Sequence, residues 1–371
     1  FENVVSVIII VLSYFLVYGE GRRILSIKDF ISDHKNVDTS QAFQKAWKEL
    51  CKCEASSNGS TLVIQKNENY TIQPQRFQGP CVSSNIHIQI DGKIEAPAKP
   101  NNWENTENSK CWLCFKNVQG LVLNGSGVLH PHGEAWWPSV GLSRRPATIS
   151  FMSCTDIIYN GLTHMNSPKN HISIYGCNNA TLSNLNISAP EHSPNTDGID
   201  ICSSQKIKIL YTIIQTGDDC VAIIGGHAGS SDINITRVAC GPGHGISIGS
   251  LGKFETDDIV QNVTVRNCSF TGTQNGARIK TWQGNAVGLN NVTFRYFEGT
   301  SASEIAIKLD CESTESCHNI RMEHINITSS SPEKNLTAYC KFADVRSSFV
   351  NIHVDCYTNQ DHQPRALSPL P

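Results

Sequence analysis

Four short motifs carry acidic, imidazole and cationic side chains that are candidates to react together: Asn195-Thr196-Asp197-Gly198, Gly217-Asp218-Asp219-Cys220, Gly243-His244-Gly245 and Arg278-Ile279-Lys280. Alone, each has a structural reading. Asp-Gly is a common turn, an Asp pair is often a solvated loop, and Arg and Lys two apart on a strand share an exposed face. Their separations change that reading, because each is close to one repeat of a pattern that runs through the chain. Residues one repeat apart in a stacked β-structure lie about 4.8 Å apart. Asp197, Asp218, His244 and Arg278 are therefore expected on one face, so that three carboxylates, an imidazole and two cations share a groove. Clustered carboxyls suit acid–base hydrolysis, since like charges held close push one pKa up and leave an acid beside a base.

The pattern that positions these motifs begins with Asn or Asp and continues with alternating β-branched or aliphatic residues. It is seen at Asp156-Ile157-Ile158, Asn179-Ala180-Thr181-Leu182, Lys206-Ile207-Lys208-Ile209, Asp232-Ile233-Asn234-Ile235, Asn262-Val263-Thr264-Val265, Asn291-Val292-Thr293-Phe294 and Asn319-Ile320-Arg321-Met322. With a further copy at Asn351-Ile352-His353-Val354, the copies recur roughly every 23 to 32 residues, within the range of solenoid repeats. Period-two alternation predicts half-buried strands. The fold class expected is all-β: a single-domain right-handed parallel β-helix. One clear helix is predicted, Asp38 to Leu50, with Asp38 and Gln41 as a capping box. Its apolar stripe is Ala42, Phe43, Ala46, Trp47 and Leu50, suited to covering the open end of the solenoid.

Composition limits the partners. With 30 Lys and Arg against 33 Asp and Glu, the formal charge is −3, so no broad basic field invites nucleic acid. A polyanionic ligand would have to be met by local cations. Residues 1–21 contain an apolar run, Val4 to Tyr18, followed by Gly19-Glu20-Gly21-Arg22-Arg23. The run is short for a membrane span, and a secretory signal is the expectation, with an anchor as the alternative. Residues 22–356 are expected to form the β-helix and the polar, Pro-rich stretch 357–371 a disordered tail. The 15 cysteines fit an oxidising compartment, and Cys111-x-x-Cys114 has no second pair to make a zinc site. Sequons at Asn58, Asn69, Asn124, Asn234 and Asn335 agree with a secreted glycoprotein.

The four motifs, together with Phe77-Gln78-Gly79-Pro80-Cys81, Ile90-Asp91-Gly92, Trp136-Trp137 and Gly299-Thr300-Ser301-Ala302, resemble the plant branch of the polygalacturonases, glycoside hydrolase family 28. The resemblance covers most of residues 25–356. It implies the pectin-lyase-like β-helix, hydrolysis of α-1,4 linkages in polygalacturonate with inversion, and no cofactor or metal. By the same resemblance Asp218 is the general acid, Asp197 and Asp219 hold and activate water, and His244 supports the acid. Asn195 positions the site, Arg278 and Lys280 grip a substrate carboxylate, and Cys220 pairs with Cys240. Cys51–Cys81, Cys311–Cys317 and Cys340–Cys356 pair on the same basis. A secreted, cell-wall, monomeric enzyme acting on pectin is expected.

Two stretches depart from the family pattern. Seven residues separate Trp282 from Asn290, where a further coil and a substrate-contacting Tyr are usual. The expectation is that Asn291 to Thr300 stacks directly on the Arg278 coil, and the alternative function is an impaired pectin-binding wall protein. Leu129-His130-Pro131-His132-Gly133 replaces a Gly-rich turn. A calcium-dependent pectate lyase is a further alternative, disfavoured by the Asp pair beside Gly-His-Gly.

Overall fold

The computed structural model describes residues 23–31, 39–52, 60–104, 110–138, 140–252, 258–282, 287–311, 317–331 and 333–356. The expected signal segment, the tail and the capping residue Asp38 lie outside them. Within them, no helix is long and apolar enough to cross a membrane. The chain divides into two compact units, 1–280 and 281–371.

The first unit is a parallel β-helix. Eight coils each contribute one strand to each of three parallel sheets, and Arg23–Ser26 adds a ninth strand to one of them. A representative coil runs through Ala147–Met152, Thr155–Asn160 and Thr163–Met165, and the next begins at Ile172–Tyr175. Alternation becomes stacking. In the nine-stranded sheet Tyr159, Leu182, Ile209 and Ile235 are successive Cα partners. In the sheet that carries Ala147–Met152, Ile149, Ile172, Ile199, Val221 and Ile246 are successive partners, all buried. Each inward side chain meets its own kind one coil away, so every coil repeats the same apolar cross-section.

The residue that opens each repeat, Asn or Asp except at Lys206, has a conformational reason. Asp156, Asn179, Lys206, Asp232 and Asn262 have φ between 54° and 59°, the left-handed region that Asn and Asp tolerate best. Their side chains also bond along the stack: Asn179 Nδ2 donates to Asp156 Oδ1 at 2.6 Å, and Asn262 Nδ2 to Asp232 Oδ1 at 3.0 Å.

The helix spans Thr39–Lys52 and buries Ala42, Phe43, Ala46, Trp47 and Leu50. Trp47 packs against Phe77 and Phe115 with ring centroids 5.3 and 5.7 Å away. These contacts place it over the first coils, as the apolar stripe predicts. The four disulfides expected from the resemblance are present, and Cys111 also pairs with Cys114.

The second unit is built from Leu289–Asn290, Thr293–Ser301, Cys317–Ser329 and Ala343–Val350 in one sheet and Ile305–Asp310 with Thr337–Lys341 in another. Thr293–Ser301 pairs with Cys317–Ser329 in nearly unbroken register, from Thr293 with Arg321 to Ser301 with Ser329.

Candidate active site

The site lies on the first unit, where each coil turns into the strand Ile199–Cys202, Val221–Ile224, Ile246–Leu251 or Ala277–Thr281. Because Ile199, Val221 and Ile246 are stacked partners, Asp197, Asp219 and His244 each sit two residues before an equivalent position. Backbone bonds tie these turns together. The Gly198 N–H donates to Asp219 O at 2.9 Å and the His244 N–H to Asp218 O at 2.9 Å. Gly243, at φ 137°, shows why glycine flanks the histidine: a Cβ there would lie 2.5 Å from Asp218 O.

Asp218 faces His244, with Oδ1 and Nδ1 2.9 Å apart, and Oδ1 also accepts the Asp219 N–H at 2.8 Å. Asn195 Nδ2 approaches the other oxygen at 3.4 Å. Asp219 is only 1 % exposed. Its Oδ1 accepts from Ser247 Oγ at 2.7 Å and Arg278 Nη2 at 2.8 Å, and its Oδ2 from Lys280 Nζ at 2.7 Å. Burial works to raise the Asp219 pKa. The bonds from Lys280 and Ser247 and the charges of Lys280 and Arg278 outweigh it and hold the carboxyl below the usual range. Asp197 goes the other way. Burial, then the charges of Asp200, Asp218 and Asp219, push it well above the carboxylate range. The two carboxyls expected to hold water, Asp197 and Asp219, are thus shifted in opposite directions by their surroundings.

All seven catalytic and substrate residues named from sequence gather here, with one difference of engagement. Arg278 and Lys280, expected to face a substrate carboxylate, both pair with Asp219. Asp218, Asp219 and His244 bring ligand-type atoms within 4.8 Å of one another, yet a metal ion there would also meet two fixed cations.

Three further residues belong to the site. Asp200 occupies the outward row Ser173, Asp200, Ala222, Ser247 of the groove sheet. Its Oδ1 is buried without a hydrogen-bond partner among the described residues. Burial pushes its pKa up to about 7; Lys169 opposes this, and Asp219 and Asp218 add to it. Arg145, 7 % exposed, donates to Pro194 O at 2.8 Å and Pro168 O at 3.3 Å, and its Nη2 lies 3.5 Å from Asn195 Oδ1. It holds the turn before Asn195. His171 is fully buried, which pushes its pKa down to about 4. Its backbone N–H donates to Asp197 O at 2.8 Å, and its neutral ring brings Nδ1 to 3.1 Å from the same oxygen. Asp200 had a sequence signal, a second acid three residues after Asp197. Arg145 and His171 had none, because they act across coils.

The family model described as glycosyl hydrolases family 28 matches residues 53–298 and 284–348, two stretches that overlap just after Trp282. A protein named probable polygalacturonase from Arabidopsis thaliana is 38% identical over 352 residues, 84% of this chain and 75% of that protein. The polygalacturonase of Persea americana is 35% identical over 349 residues, 82% of this chain and 73% of that protein. Among solved structures, an exopolygalacturonase from Thermotoga maritima superposes with a TM-score of 0.69 at 18% identity, covering 89% of this chain and 91% of that one. The polygalacturonase of Erwinia carotovora does so with a TM-score of 0.61 at 20% identity, covering 91% and 98%. These last two likenesses speak to the fold.

Proposed function

The chain belongs to glycosyl hydrolases family 28, and from that membership we propose that it is a polygalacturonase, cleaving α-1,4 linkages between galacturonates in pectin. The observation that carries the reading is the pairing of Asp218 with His244 beside an Asp219 held ionised by Lys280 and Arg278. Asp218 gives its proton to the leaving glycosidic oxygen. Asp219, with Asp197 helping to hold the water, takes a proton from that water as its oxygen bonds to the anomeric carbon. The glycosidic bond breaks, and attack from the opposite face inverts the centre. Proton exchange with solvent then restores Asp218 and Asp219, with His244 supporting the protonated Asp218 across 2.9 Å.

Arg278 and Lys280 serve twice in this reading. They keep Asp219 charged, and their unused N–H groups take a galacturonate carboxylate. A guanidinium has five donors in a fork that suits carboxylates, and an ammonium has three. Local cations thus meet a polyanion on a chain whose formal charge is −3. Secretion to the cell wall as a monomer completes the reading. Reducing-end release from polygalacturonate, followed for the parent and for Asp218→Asn, tests it. Activity in the parent and its loss in the variant support the assignment, and equal rates reject it.

A further inference from the structure

Away from the carboxylate cluster, Glu95, His130 and His132 bring one ligand-type atom each within 4.8 Å of one another. Glu95 and His130 end neighbouring strands, Lys93–Glu95 and Val128–His130, and are Cα partners. Pro131 breaks the strand, and His132 takes φ 56°. That left-handed step folds its ring back over His130, with centroids 4.0 Å apart. The turn is anchored from below. The Gly133 N–H donates to Asn166 O at 2.7 Å, and a Cβ on Gly133 would lie 2.4 Å from Ser167 O.

Two separations match those within a coordination shell. His132 Nε2 lies 3.4 Å from Glu95 Oε2, and His130 Nε2 lies 3.5 Å from Glu134 Oε1, an oxygen that also lies 3.4 Å from His132 Nδ1. Four ligands at about 2.0–2.1 Å from a tetrahedral ion are separated by about 3.3–3.4 Å. His130 Nε2 is buried with no hydrogen-bond partner among the described residues. Asn69 Nδ2 donates to Glu95 Oε1 at 3.3 Å, which orients the carboxylate from the outer shell. Lys93 pairs with Glu95 Oε2 and is the cation an incoming ion must displace. Two imidazoles with carboxylate favour zinc, copper or nickel over calcium and magnesium, which prefer all-oxygen shells.

We propose that Glu95, His130 and His132, with Glu134 or water completing the shell, bind a divalent transition-metal ion of the zinc type. The ion clamps the turn after Val128–His130 to the preceding coil. It plays no part in hydrolysis. Because it binds the folded chain, it stabilises by mass action.

Zinc titrated calorimetrically into the metal-free full chain tests the site, with calcium as the second arm. The variants are His130→Ala, His132→Asn and Asp218→Asn. Asparagine tolerates the left-handed backbone, so His132→Asn removes the imidazole and keeps the turn. If His130→Ala does not fold, as judged by circular dichroism, His132→Asn alone decides. Expected are one zinc per chain, weaker by at least about tenfold in the His variants, unchanged in Asp218→Asn, and no comparable calcium binding. A zinc-induced rise in Tm should follow the same pattern. The proposal is overturned by no saturable zinc binding up to about millimolar, by binding that survives both His substitutions, by loss in Asp218→Asn, or by calcium binding as tightly.

Discussion

Nζ of Lys280 lies 2.7 Å from Oδ2 of Asp219, although the two residues are 61 positions apart. The contact gives Asp219 a direction of titration. Its carboxyl sits below the usual range because Lys280, Ser247 and Arg278 outweigh the burial that would raise it. A depressed carboxyl stabilises the fold above its unfolded pKa and loses that contribution as pH falls through the folded value.

Lys280→Ala removes one of the two cations on Asp219 and so raises its pKa. The acidic limb of the kcat/KM profile should move to higher pH, and substrate binding should weaken as the carboxylate contact is lost. Rates on polygalacturonate across pH check this. An unshifted acidic limb with unchanged KM would place Lys280 outside both roles.

Asp218→Asn keeps the shape of the site and removes the transferable proton. Turnover should fall by about a hundred- to ten-thousandfold with Tm nearly unchanged. Steady-state rates and thermal unfolding of the same preparation separate a chemical defect from a folding one.

His244→Ala removes the partner 2.9 Å from Asp218 while leaving little packing to lose, since glycines flank the residue and its side chain is 26 % exposed. Turnover should drop by at least about tenfold, far more than stability does. Activity lost only in proportion to Tm would mark His244 as structural.

Asp200→Asn concerns stability. Its carboxyl has an ordinary value of 3.8 and is pushed up to about 7, first by burial. Between those pH values the unfolded chain releases a proton that the folded chain keeps, so stability falls as pH rises through the window. The substitution removes that loss. Tm should rise by roughly 2–4 °C near pH 7 and much less near pH 4. An equal change at both pH values would mean that titration of Asp200 is not its cause.

The solenoid was legible because its cause is local. Alternation in Asn179-Ala180-Thr181-Leu182 or Asp232-Ile233-Asn234-Ile235 specifies which side of a strand is apolar, and the leading Asn or Asp specifies a left-handed step. The helix stripe of Phe43, Ala46, Trp47 and Leu50 likewise needs no partner to be read. Recurrence of the motifs at coil spacing was enough to bring Asp197, Asp218, Asp219 and His244 into one site.

What the linear chain withheld depends on register between distant coils. Nothing near Arg278 or Lys280 says that their charges rest on Asp219, because that follows from how Ala277–Thr281 lines up beside Ile246–Leu251. The pairing of Thr293–Ser301 with Cys317–Ser329 was decided the same way, by register between strands far apart in the chain. Arg145 reaches Pro194 across 49 positions, and Glu95 meets His130 only because their strands are neighbours in the stack. By itself the sequence determined a repeating cross-section and the residue types on its groove face. The tertiary structure decided which charges neutralise one another, because ion pairs and pKa shifts depend on separations of a few ångströms that only the stacked coils set.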